Sequence, residues 1–166
     1  MFKAAVRAAS CSALVLMSFA GPAFAGTASQ PFELTGTLQE IPGPSARCAS
    51  HFGGTILGGG DSPQLGKVVF IATDCITPSG SLYTFSDGRF IITTTTGEQV
   101  YASYSGQFVP TGTGTQYVFS NASFQVTGGT GRYSRASGGG SLTGGEDMAT
   151  GQGTVKLSGQ ILFKDK

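Results

Sequence analysis

Apolar and polar residues alternate with a period of two through residues 32–38: Phe32, Leu34, Gly36 and Leu38 share one face, and Glu33, Thr35 and Thr37 the other. Successive side chains of a strand point to opposite sides of its sheet, so the alternation predicts a half-buried strand. Residues 155–163 repeat it, with Val155, Leu157, Gly159, Ile161 and Phe163 on the apolar face. Between these ends, segments 50–57, 67–73, 82–95, 98–108, 116–126 and 133–142 also carry strand chemistry, the third interrupted at Ser86-Asp87-Gly88. Turn signals separate them at Pro42-Gly43-Pro44, at residues 58–63, at Thr77-Pro78-Ser79-Gly80, at Thr96-Gly97 and at residues 110–114. No window past the first 25 residues shows an apolar stripe at helical spacing free of glycine.

The pattern therefore predicts an all-β domain of about eight strands. Its first and last strands are alike, and pairing them would close a single eight-stranded antiparallel β-barrel and remove the exposed edges that an open sheet must protect. A barrel of that size is either filled by its own side chains or holds one small ligand. The runner-up is a β-sandwich, because counting strands does not distinguish closure from two stacked sheets.

Residues 127–145 read T-G-G-T-G-R-Y-S-R-A-S-G-G-G-S-L-T-G-G. Gly128, Gly129 and Gly131, directly after a strand-like segment, can supply the positive φ angles of a tight turn. The chain is expected to reverse there and to resume extended structure at Tyr133, with Ala136 and Gly138 small enough for a neighbour to approach closely. The eleven residues from Gly128 to Gly138, G-G-T-G-x-Tyr-x-x-A-x-G, resemble a turn and strand that recur in allene oxide cyclases and plant dirigent proteins. The resemblance implies the eight-stranded allene oxide cyclase barrel. It also implies a class of activity, in which an apolar reactive molecule is held so that ring closure or radical coupling follows one course, catalysis being mainly conformational restriction. The polar pocket residues of the cyclases and the aspartates of the dirigent proteins have no assignable positions here, so the resemblance transfers no catalytic residue. Shared fold alone does not establish shared function.

The chain opens with Lys3 and Arg7 ahead of an alanine-rich apolar run and then Ala23-Phe24-Ala25. This is the plan of a secretory signal peptide, residues 1–25, cleaved after Ala25 to leave a domain of residues 26–166 that is secreted or periplasmic. The run is too short for a membrane span, and none is expected in the mature chain. Cleavage leaves eight Lys and Arg against nine Asp and Glu, a formal charge of −1. No basic patch suggests nucleic acid as a partner. Nothing in the pattern sets an oligomeric state.

Two cysteines remain after cleavage, Cys48 and Cys75. In an oxidising compartment an even pair is most simply a disulfide, worth about 3 to 4 kcal/mol for a loop of this length. The rival is a nucleophilic cysteine served by His51, the one histidine. His51 otherwise reads as a surface residue, and no metal-ligand spacing surrounds it. No phosphate-loop or dinucleotide motif is present, no G-x-S-x-G elbow, and no calcium-loop spacing around Glu146-Asp147, so no cofactor or metal is expected. Glu146 and Asp147 read as solvated loop acids and Glu33 as outward-facing, while Asp74, Asp87 and Glu98 fall at strand ends, where they either line a barrel mouth or sit in turns, the loop placement being the default. Burying Val100, Ala102 and Phe108 also turns Tyr104 inward. The candidate lining of the barrel is thus Phe32, Leu34, Tyr104, Phe108, Ile161 and Phe163, and the expected partner is a small apolar molecule. Two alternatives stand beside it: an isomerase or cyclase, and a structural or adhesive envelope protein with a solid core.

Overall fold

In a computed structural model of the chain, which describes residues 29–163, eight antiparallel strands follow one another around a closed barrel. They are β1 (Gln30–Pro44), β2 (Phe52–Ser62), β3 (Gly66–Ser79), β4 (Leu82–Thr94), β5 (Gln99–Pro110), β6 (Gln116–Gly129), β7 (Ser137–Asp147) and β8 (Gln152–Leu162). Each pairs with the next, and β8 returns to β1 in a register running from Gln30↔Ile161 to Gln39↔Gln152. Closure between the two most similar strands excludes the sandwich. The expected signal peptide and cleavage site, like the last three residues, lie outside the described residues.

The period-two pattern decides which face turns inward. Phe32, Leu34 and Leu38 of β1 and Val155, Leu157 and Ile161 of β8 are buried, and the Phe70 and Phe90 rings meet between β3 and β4 with centroids 5.1 Å apart. Outward positions of β1 and β8 carry charge, as in the Lys156 to Glu33 ion pair at 2.9 Å, whereas β3 and β4 expose Val69, Ile71 and Ile91. Ser86-Asp87-Gly88 does not end β4. It forms a β-bulge against β5, with Asp87 at φ 50°.

Three expected turns are displaced. The glycine run at 58–60 stays in the β2 ladder, paired with Val68, Val69 and Phe70, because the Phe70 ring occupies the space that a side chain at Gly58 would need. The turn falls instead at residues 63–65. Likewise β3 continues through Pro78 to Ser79. Pro42 and Pro44 belong to β1. The Glu40 N–H points to Gly151 O at 2.8 Å, on the β8 side, so the nitrogens at 42 and 44 also face that side, beyond the position where β8 begins. Proline is tolerated at such an unpaired strand margin because no ladder bond is lost.

Tyr133 does not restart a strand. Gly131–Tyr133 is a single 3-10 turn, and β7 begins at Ser137. The turn folds Tyr133 over the barrel end, where it is buried and packs edge-on to Phe163 with ring centroids 5.2 Å apart. A buried aromatic gains more by covering an open barrel end than by extending an exposed strand. At the opposite end, Cys48 in the β1–β2 connection forms a disulfide with Cys75 of β3, with a Cα to Cα distance of 5.3 Å.

Candidate functional site

Alternation along β1 does not stop at Leu38. Two residues further, in the same inward phase, stands Glu40. In β3 the series Val68, Phe70, Ala72 continues to Asp74, in β5 Val100 and Ala102 lead to Tyr104, and in β7 Leu142 and Gly144 lead to Glu146. All four polar side chains are buried, with exposures of 3% for Glu40, 2% for Asp74, 6% for Tyr104 and 4% for Glu146. They come from alternate strands, β1, β3, β5 and β7, as one layer of inward side chains in a small barrel does. The result is a layer of three carboxyls and a phenol near the end of the barrel that carries the disulfide.

Asp74 is well supplied with donors. The Tyr104 hydroxyl donates to its Oδ2 at 2.9 Å and the Gly54 N–H to its Oδ1 at 3.1 Å. Burial raises its pKa, while these two bonds and the positive charge of Arg47 oppose the rise. Glu40 has no such support: neither of its oxygens, nor Oε2 of Glu146, has a hydrogen-bond partner among the described residues. As two carboxylates, Glu40 and Glu146 have no donor between them, and one proton on Glu40 provides it. Burial, the charges of Glu146 and Asp74, and the hydrogen bond with Glu146 together push Glu40 from 4.5 up to about 10. Burial also lifts Glu146 to about 7, the bond with Glu40 working against the rise and the Asp74 charge with it. Burial, then the Asp74 charge, pushes the Tyr104 phenol well above its ordinary range. At neutral pH the layer thus holds a neutral Glu40 acid, a Glu146 that titrates, and an Asp74 held by two donors.

The space around this layer is uneven. On the axial side a cavity of about 20 Å³ lies among Glu40, Asp74, Tyr104, Phe108 and apolar neighbours, room for about one water molecule. Toward solvent, a pocket of about 230 Å³ opens between Phe52, Ile76, Tyr83, Tyr117 and Met148, with Glu40 and Glu146 in its wall. Its aromatic side is built by the Tyr83 and Tyr117 rings, 6.0 Å apart. Phe85, Phe108 and Phe119 pack against one another along the small axial cavity, with Phe85 and Phe108 centred 4.7 Å apart.

Of the residues expected to line an interior site, Tyr104 and Phe108 border the small cavity. Phe32, Leu34 and Ile161 are packed core outside that lining, and Phe163 is half-buried against Tyr133 at the far end. Cys48 and Cys75 are joined in the disulfide rather than free, and His51 is exposed. Glu33 faces outward as its phase requires. Glu146 corrects the reading of it as a solvated loop acid, and Asp74 takes the barrel-mouth placement rather than the default loop one, because both strands run past those positions into the barrel end. Asp147 alone faces the hairpin, accepting from Thr115 Oγ1 at 2.6 Å and the Ala149 N–H at 2.8 Å. Glu40 was not singled out by sequence reasoning, although its phase with Leu38 was the signal.

No protein family, curated protein or solved structure matches this chain.

Proposed function

We propose that the protein, acting after export, binds a small and mostly apolar molecule in the pocket at the disulfide-bearing end of the barrel rather than along its axis. One observation carries this reading: the axial cavity has room for about one water, whereas the end pocket of about 230 Å³ is walled by aromatic and aliphatic side chains with two buried carboxyls among them. A few fixed polar groups in an apolar concavity are what a small-molecule site requires. The N-terminal segment and the disulfide support export. A thermal-shift series with small aromatic and aliphatic compounds tests the reading, since a ligand that binds only the folded state raises its stability by mass action. Binding lost in Tyr117→Ala but kept in Phe32→Leu would support the end pocket over the axis. The absence of any shift would leave the structural reading with its solid core.

A second reading has its own support. A neutral acid, Glu40, beside a carboxyl that titrates near 7, Glu146, is a pair suited to moving a proton on a bound molecule. That would serve the isomerase alternative, by proton transfer rather than by the conformational restriction that the resemblance to the allene oxide cyclases implies. Its test is exchange of carbon-bound hydrogen of a bound ligand into D₂O, lost in Glu146→Gln.

A further inference from the structure

We propose that the molecule held in the end pocket is an organic ammonium ion with a small apolar body. This rests on the binding reading above and narrows its ligand class. The carboxyl pair in the pocket wall is short of donors: both oxygens of Glu40 and Oε2 of Glu146 are buried without a partner among the described residues, and the one proton on Glu40 can serve only one of them. No Lys, Arg or His is part of that lining. An anion, such as a fatty acid's carboxylate, would face two acids without a counter-charge. A neutral apolar molecule would bring no donor to a pair that lacks them. An ammonium group brings both the donors and the charge.

The rest of the wall suits the same guest. Phe52, Tyr83 and Tyr117 present ring faces and edges around the opening, and aromatic faces attract ammonium groups while their area covers an apolar body. A bare metal ion is a poorer fit, because no group of three or more His, Cys, Asp or Glu among the described residues is disposed to hold one. Asp74 is already occupied by Tyr104 and Gly54, which leaves the Glu40 and Glu146 pair to meet the ligand.

Binding has a proton balance. Glu40 keeps its proton and Glu146 is the group that titrates, so the R–NH₃⁺ group donates to the Glu146 carboxylate, and the proton on whatever fraction of Glu146 is still neutral passes to solvent. The groups acting on Glu146 are Glu40 from β1 and Asp74 from β3, and Tyr83 from β4 and Tyr117 from β6 share its pocket wall; Tyr104 of β5 and Arg47 of the β1–β2 connection act on this set through Asp74. Arg47 is the one cation in this set and acts on Asp74 and Tyr104.

The experiment is isothermal titration of the folded full chain with three matched probes: phenethylammonium, the neutral 2-phenylethanol and the anionic 3-phenylpropanoate. Phenethylammonium is expected to bind at least about tenfold more tightly than the alcohol, and the anion not to bind. Affinity should rise from pH 6 to 8, and the heat should vary with the ionisation enthalpy of the buffer, reporting proton release by the unmodified protein. Glu146→Gln should lose the preference for the cation, so that phenethylammonium and the alcohol bind the variant alike. Equal binding of alcohol and ammonium would overturn the cation proposal and leave the pocket reading intact. Failure of all three would overturn both. Calcium binding that displaces phenethylammonium would also overturn it, in favour of an inorganic cation site.

Discussion

The Tyr104 hydroxyl donates to Asp74 Oδ2 at 2.9 Å, and this bond determines where negative charge rests in the barrel. With the Gly54 N–H on the other oxygen, Asp74 is the one interior carboxyl with two donors, so ionisation costs least there. Glu40, beside that charge and without donors, keeps its proton instead. Tyr104→Phe removes the first donor and leaves the buried carboxylate half-supplied. The expected loss is about 1 to 3 kcal/mol, and larger at pH 8 than at pH 5 because the missing bond matters most to the ionised form. Urea denaturation at both pH values checks it; a change below about 0.5 kcal/mol at pH 8 would show that the phenol does not hold Asp74.

Gly54 makes room for this layer. A Cβ built there would collide with Glu40 Oε1 and lie 3.0 Å from Asp74 Oδ1. Gly54→Ala is therefore expected to destabilise by about 1 to 3 kcal/mol, as overpacking does in a filled interior. Since the obstacle is the Glu40 carboxyl, adding Glu40→Ala should recover part of the loss, giving a favourable coupling in a double-mutant cycle. Additive losses would place the clash elsewhere.

The barrel was legible because its evidence is periodic and repeated. Leu34 and Leu157 are in phase in strands that pair with each other, and closure follows from that likeness. The layer of acids was less legible because composition and phase gave opposite answers at the strand ends. Glu40 precedes Pro42-Gly43-Pro44 and Glu146 sits beside Asp147, and both contexts read as turn. Phase decided both, because neighbouring strands extend the ladder through Pro44 and Asp147. Tyr133 failed the other way: an aromatic after glycines reads as a strand start, and only the open barrel end, a property of the closed fold, explains why it turns inward instead.

Gly131 tests the turn over that end. Its φ is 54°, and a Cβ there would strike the Glu98 carboxylate, which accepts from the Arg132 N–H at 2.9 Å and pairs with the Arg132 side chain at 3.3 Å. A β-branched residue resists positive φ, so Gly131→Val should cost about 1 to 3 kcal/mol in chemical denaturation. A cost within about 0.5 kcal/mol, the ordinary surface range, would mean that the turn does not need this glycine.

The shifted carboxyls also fix how stability depends on pH. Glu40 and Glu146 both titrate higher in the folded protein than in the unfolded chain, from 4.5 to about 10 and to about 7, with burial the largest cause of each. Asp74 is shifted in the same direction. Between the unfolded and folded values the native state binds more protons, so the stability that the two glutamates contribute is fully present below about pH 4.5 and is lost as pH rises. The Glu146 share is lost between pH 4.5 and 7, and the Glu40 share continues to be lost up to about pH 10. Each group contributes a slope of at most about 1.4 kcal/mol per pH unit, so the decline should be steeper from pH 5 to 7 than from pH 7 to 9. Asp147, lowered chiefly by the Thr115 hydroxyl and the Ala149 N–H, acts in the opposite sense, and only in acid below this window. Urea midpoints measured at pH 5, 7 and 9 would show the decline. Glu40→Gln, which keeps the shape and supplies a permanent donor toward Glu146, should flatten the limb between pH 7 and 9. Stability that is constant or rises from pH 5 to 9 would show that the buried layer is not protonated as its geometry requires.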